Sequence, residues 1–172
     1  EHIESKRVKC WVYFMRYCGL RKEEACSIKH KWIDRKSKML TVGDEKFRPK
    51  NGEDREIPIP DELMDYYSSV FKKGKQNDYL FPGKDSKNKP MSGHDGCVKN
   101  AKNKAGLTSK KERWTTHCLR KSFCQQHMMN GVDFATIQDM ADHYDFLITL
   151  RHYLKGMNHK SVQKEFIENP LI

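Results

Sequence analysis

His117-Cys118-Leu119-Arg120-Lys121-Ser122-Phe123 opens a segment in which Leu119, Phe123 and Met128 recur at helical spacing, from Thr116 to Asn130, and Gly131 stands where a helix commonly ends. His117 and Arg120 are three apart, so on one helix their side chains leave the same face and can converge on a single anionic group. H-x-x-R alone is a weak signal, because exposed helical pairs are common, and its weight depends on what surrounds it.

Downstream, helical stretches surround Ile137 to Met140 and Phe146 to Leu154, with His143 and Tyr153 ten residues apart in that region. Upstream, a helix is expected after Met91-Ser92-Gly93, running to about Ala105, followed by a basic loop carrying Lys110, Lys111 and Arg113. Near the N-terminus, Val8, Trp11, Val12 and Met15 predict a helix from Ile3 to Tyr17 that Gly19 stops. A short helix follows over Lys22 to Ile28, with Glu23 and Glu24 in the first turn, where the helix dipole favours them. Between Lys31 and Pro60 the pattern changes to short apolar runs, Trp32-Ile33, Met39 to Val42 and Glu56 to Ile59, separated by the turn signals Asp34 to Ser37 and Asn51-Gly52. These predict a small three-stranded antiparallel sheet. A helix from Asp61 to Phe71, capped by Asp61, comes next. The fold class is α+β, mainly helical, in one domain.

The 172 residues carry 33 Lys and Arg against 23 Asp and Glu, a net charge of +10. Such a surface attracts polyanions such as nucleic acid or anionic lipid. Mean hydropathy is −0.89, and no apolar run approaches the ~18 residues of a membrane span. The Glu1-His2-Ile3-Glu4 start carries no apolar signal region and reads as part of a longer chain. Six cysteines stand apart with no C-x-x-C pair, which predicts reduced thiols in a cytosolic protein and no zinc site.

Four pieces then fall in a definite order: Arg21, two residues after a helix-ending glycine in Cys18 to Glu24; Lys50 at the tip of a hairpin in Pro49 to Pro58; the His117/Arg120 pair; and His143 with Tyr153. This chain resembles the catalytic domain of the tyrosine recombinase, or phage integrase, family. Cys18 to Glu24 is similar to that family's T-G-L-R-x-x-E box, Ile33-Asp34 to its I-D pair, Lys50 to Pro58 to its K-x-G-x-x-R-x-[IV]-P strand, and Leu80-Phe81-Pro82 to its L-F-P. His117 to Phe123 matches H-x-L-R-[HK]-[ST]-F almost letter for letter, and His143 followed by Tyr153 resembles the second histidine box and its tyrosine. Tyr144 lies too close to His143 for that spacing. The resemblance spans essentially all of residues 1–172, as a catalytic domain whose N-terminal DNA-binding domain is absent.

What the resemblance implies is DNA strand cleavage and rejoining. Arg21 and Arg120 would bind the scissile phosphate, whose non-bridging oxygens gain charge in the transition state and suit forked guanidinium donors better than point-charge lysines. Tyr153 would be the nucleophile, leaving a covalent 3′-phosphotyrosine, and its ordinary pKa of about 10 requires cationic neighbours to favour loss of the proton. Lys50 would protonate the departing 5′-oxygen. His117 and His143 would hydrogen-bond the phosphate and help move protons, and Glu24 would orient an arginine through a salt bridge. No cofactor or metal is expected. Lysine-rich segments at Lys72-Lys73, Lys84 to Lys89, Lys102 to Lys111 and Lys121 would contact DNA backbone phosphates. The expected partners are double-stranded DNA and further copies of the chain, as a tetramer joined through the tail after Tyr153, in the cytoplasm with the nucleoid. Ala141-Asp142 departs from the family's Leu-Gly, which either alters the turn aiming His143 or puts a carboxylate near the phosphate. Topoisomerase-like DNA relaxation and a non-catalytic DNA-binding module of the same fold are the alternative functions.

Overall fold

A computed structural model describes residues 2–49, 52–72, 74–84, 88–107 and 115–142. Lys50, His143 and Tyr153 lie outside the described residues, as do the helix expected around Phe146 to Leu154 and the C-terminal tail.

Helix α1 runs Lys6–Tyr17 and begins three residues later than the periodicity suggests, because the Ser5 hydroxyl accepts from the Val8 amide and fixes the N-terminus there. It buries Val8, Cys10, Trp11, Phe14 and Met15. After Cys18 caps it, Gly19 turns the chain at φ +63° into α2, Lys22–Ser27. A single 3-10 turn, His30–Trp32, takes Trp32 out of the expected strand and leaves β1 as Ile33–Asp34. Strand β2, Met39–Val42, pairs antiparallel with β1 and with β3, Arg55–Pro58, in register Leu40 to Ile57 and Val42 to Arg55. The sheet is three-stranded in the order β1-β2-β3.

Helix α3, Asp61–Val70, packs on α1. Its N-cap is Pro60; Asp61 is the first helical residue, where its charge faces the helix dipole and its carboxylate pairs with Lys38, so the capping role expected of it is corrected. Helices α4, Asp95–Lys104, α5, His117–Met129, and α6, Phe134–Met140, complete the described elements. Asn130 is the C-cap of α5 and Gly131 follows at φ +77°, in the place the sequence marked.

One core is shared by α1, α2, the sheet and α3, with Trp11, Phe14, Leu40, Ile57, Leu63, Tyr67 and Leu80 fully buried in it. A second, smaller cluster joins Phe123 and Cys124 of α5 to Ile137 of α6 and Ala141. Helix α5 links the two, since Leu119 belongs to the first and Phe123, one turn on, to the second. Cys10, Cys18, Cys26 and Cys124 are buried free thiols; burial alone pushes Cys10 up to about 12. Among the described residues no helix is long and apolar enough to cross a membrane, and no group of three metal-ligating side chains occurs.

Candidate active site

The site lies where the α1–α2 turn, the start of α5, strand β3 and the end of α6 meet. Gly19 makes the meeting possible. A Cβ there would fall 2.5 Å from Cδ1 of Phe123, and the positive φ independently disfavours any L side chain. The turn therefore lies flat against the Phe123 ring. Arg120, one turn N-terminal to Phe123 on α5 and only 2 % exposed, donates from Nη1 to the Gly19 carbonyl at 2.8 Å. Arg16 at the end of α1 adds a bond from Nη2 to Gln126 Oε1, 2.8 Å. Two helices far apart in sequence are thus locked so that Arg21 and Arg120 feel each other's charge. Burial first, and Arg21 second, pulls the Arg120 guanidinium down to about 10, which still leaves it a cation at neutral pH.

Arg21 sits at the N-cap of α2, and Glu24 at N3 reaches back to it: its Oε2 accepts from the Arg21 amide at 2.7 Å and its Oε1 from Arg21 Nη1 at 3.0 Å. Glu24 therefore forms a salt bridge with Arg21. The carboxylate is also held from the other side. Arg55 of β3 grips it with both ends of its fork, Nη1 to Oε1 at 3.2 Å and Nη2 to Oε2 at 2.8 Å, while its Nε donates to the Met140 carbonyl at 3.0 Å. Burial pushes the Glu24 carboxyl up, but the Arg55 and Arg21 donors outweigh it and hold it below the ordinary range.

His117 begins α5 on the same face as Arg120. Burial, then Arg120, Lys121 and Arg21, lower its pKa, so at neutral pH it is an uncharged imidazole able both to donate and to accept. Asp142, which follows α6 at φ +51°, lies on Arg21: its carboxylate accepts from Arg21 Nη1 and its carbonyl from Nη2, with Arg55 Nη1 3.8 Å from the carboxylate.

The structure therefore brings together Arg21, Glu24, His117 and Arg120 of the expected set. Lys50, His143 and Tyr153 fall outside the described residues, although β3 follows the first and Asp142 precedes the second in the chain. Arg55, the arginine of the Lys50 to Pro58 box, is the residue to which the sequence reading gave no role. Its signal is the alternation of β3, where Arg55 and Ile57 point inward and Glu56 and Pro58 outward, so a charged residue stands at a core position and demands a buried partner. As a set these groups can bind and polarise a phosphodiester through fixed cationic donors.

The chain matches the phage integrase family over residues 1–160. It is 31% identical over 129 residues to tyrosine recombinase XerA of Pyrococcus furiosus, covering 73% of this chain and 42% of the relative. Among solved structures, a XerA recombinase superposes with TM-score 0.72 at 21% identity, covering 98% of this chain and 58% of that one. The Tn1549 transposon integrase in complex with transposon right end DNA gives 0.70 at 19% identity, covering 94% and 58%. The integrase from mycobacterium phage Brujita gives 0.64 at 23% identity, covering 88% and 50%. The chain spans about half the length of these relatives. With matched residues running through every element of the site, this chain belongs to the phage integrase family, and its fold is that of a tyrosine recombinase catalytic domain.

Proposed function

We propose that residues 1–172 form the catalytic domain of a site-specific DNA recombinase that cuts and rejoins strands through a 3′-phosphotyrosine. The observation that carries this reading is the pairing of Arg120 with the Arg21 turn, two forked cations fixed by the Gly19 carbonyl and by Glu24 before any substrate arrives. Donors held in place beforehand need no reorganisation as charge develops on the non-bridging oxygens, which is where such a site gains most of its rate.

In the reaction, the Tyr153 oxygen attacks phosphorus in line and gives up its proton to one of the histidines, His117 or His143. The bond from phosphorus to the 5′-oxygen breaks, and that oxygen takes a proton from Lys50 and leaves as a free 5′-hydroxyl. The backbone bond is conserved as an ester to Tyr153, and the reverse attack by a 5′-hydroxyl rejoins the strand. His117, uncharged at neutral pH, hydrogen-bonds a phosphate oxygen, and His143 is proposed to do the same. Neither step requires a cofactor. The Tn1549 integrase and a XerH recombinase are each solved on DNA; with a net charge of +10, double-stranded DNA is the partner proposed for this chain as well. Assembly as a tetramer through the segment after Tyr153 is part of the same proposal, as is an N-terminal DNA-binding domain in the whole protein.

The test is a nicked suicide duplex that traps the covalent complex. Wild-type protein should form an adduct that Tyr153→Phe abolishes while DNA binding persists. DNA binding without any adduct from wild type would favour the non-catalytic module, and relaxation of a supercoil without strand exchange between two labelled sites would favour the topoisomerase-like reading.

A further inference from the structure

The two N–H edges of Arg21 that would receive a phosphate already have partners. One meets the Asp142 carboxylate and the other the Asp142 carbonyl. The Asp142 side chain is 8% exposed and that of Arg21 22%. Asp142 reaches this place only by adopting φ +51°, a left-handed conformation that costs an L residue energy and that aspartate tolerates better than most. The segment is pinned from behind by the Arg55 bond to the Met140 carbonyl and by Ala141, which is fully buried in the second core cluster. The carboxylate is therefore delivered to Arg21 by a rigid support. Its second cation, Arg55, is already committed to Glu24, so Arg21 is the partner with which it makes a direct hydrogen bond.

A carboxylate oxygen on a guanidinium fork presents the same geometry as a phosphate oxygen, and the two compete for the same donors. From this we infer that Asp142 is a resident counter-anion of the phosphate seat, which a DNA phosphodiester must displace from Arg21 before the site closes on it, so that Asp142 sets the affinity of the site for phosphate. The inference rests on the proposed role of Arg21 as a phosphate ligand. Exchange of one anion for another costs binding strength but keeps Arg21 folded in and aimed while the site is vacant.

The experiment compares wild type, Asp142→Asn and Asp142→Gly in the full protein, each alone and with Arg21→Gln, using inorganic phosphate as the probe in calorimetric titration and a nicked suicide duplex for adduct formation. Asparagine keeps the size and the left-handed tolerance and removes only the charge; glycine removes the carboxylate altogether. Both variants should bind phosphate about tenfold more tightly than wild type, and Arg21→Gln should erase that gain, because the competing charge acts through Arg21. The adduct should form faster in both variants at limiting DNA. Phosphate affinity equal to or weaker than wild type in both variants, or a gain that survives Arg21→Gln, overturns the inference; if the wild-type adduct forms normally in that case, the strand-cleavage reading stands without it. A tenfold gain in phosphate affinity with no adduct from any variant upholds the resident counter-anion and removes the strand-cleavage reading instead.

Discussion

Replacing Glu24 by Gln tests whether one buried carboxylate holds the site together. Glu24 is 2% exposed and accepts four hydrogen bonds, two from Arg55 and two from Arg21. Glutamine has the same shape but one oxygen where there were two, and its NH2 group would face N–H donors that need an acceptor. Arg55, whose side chain is 7% exposed, would lose the anion that balances its charge and keep the Met140 carbonyl and the more distant Asp142. Removing one partner of a buried ion pair costs roughly 3–5 kcal/mol, because the other charge stays buried without full compensation. Against a domain stability of ~5–15 kcal/mol, and at about 2–4 °C per kcal/mol for a chain of this size, Tm should fall by about 10 °C. Urea unfolding of wild type, Glu24→Gln, Arg55→Met and the double variant measures the pair directly. The double variant should be clearly more stable than the sum of the two single losses, since with both charges gone neither member of the Glu24–Arg55 pair is left buried without its counter-charge. The pair also has a pH signature. The carboxyl is depressed in the folded state, so its contribution is complete above the unfolded value of about 4.3 and is lost as pH falls through the folded value. Wild-type Tm should drop more steeply than that of Glu24→Gln below about pH 4.3. A single-variant cost under about 1 kcal/mol, or additive losses, would refute the reasoning.

Two further perturbations probe the meeting of α1 and α5. Gly19→Ala should lose about 2–5 kcal/mol, combining ~1–2 for the left-handed backbone with ~1–3 for overpacking against Phe123, and a wild-type urea midpoint would show that the turn has room to move. Arg120→Lys keeps a cation but cannot serve both the Gly19 carbonyl and a phosphate; adduct formation should fall about a hundredfold or more with DNA affinity within about threefold, as titration and suicide-substrate rates on one duplex would reveal.

The fold was largely legible because it is built from local signals. The burial stripe of α1, the Met39 to Val42 strand and Gly131 after α5 all act over a few residues and reappear in space, and the run expected at Glu56 to Ile59 forms one residue earlier, as Arg55–Pro58. A fixed order of short boxes survives in one dimension, and Arg21, Glu24, His117 and Arg120, singled out from it, are gathered in one region of the fold. Boundaries shifted where a single hydrogen bond decided them, as Ser5 did for α1, and Trp32 left its strand for a 3-10 turn.

What the chain order could not contain is which donor meets which acceptor across a hundred residues. Arg120 reaching the Gly19 carbonyl, Arg55 clasping Glu24 and Asp142 seated on Arg21 are contacts between segments 31 to 121 positions apart, and only close packing of α1, β3, α5 and α6 brings them within 4 Å. The sequence alone determined the residue types and so the chemistry available, because side-chain identity sets charge and donor geometry. Tertiary structure decided how those charges are shared, because pairing energy depends on distance and burial, and both exist only in the folded chain.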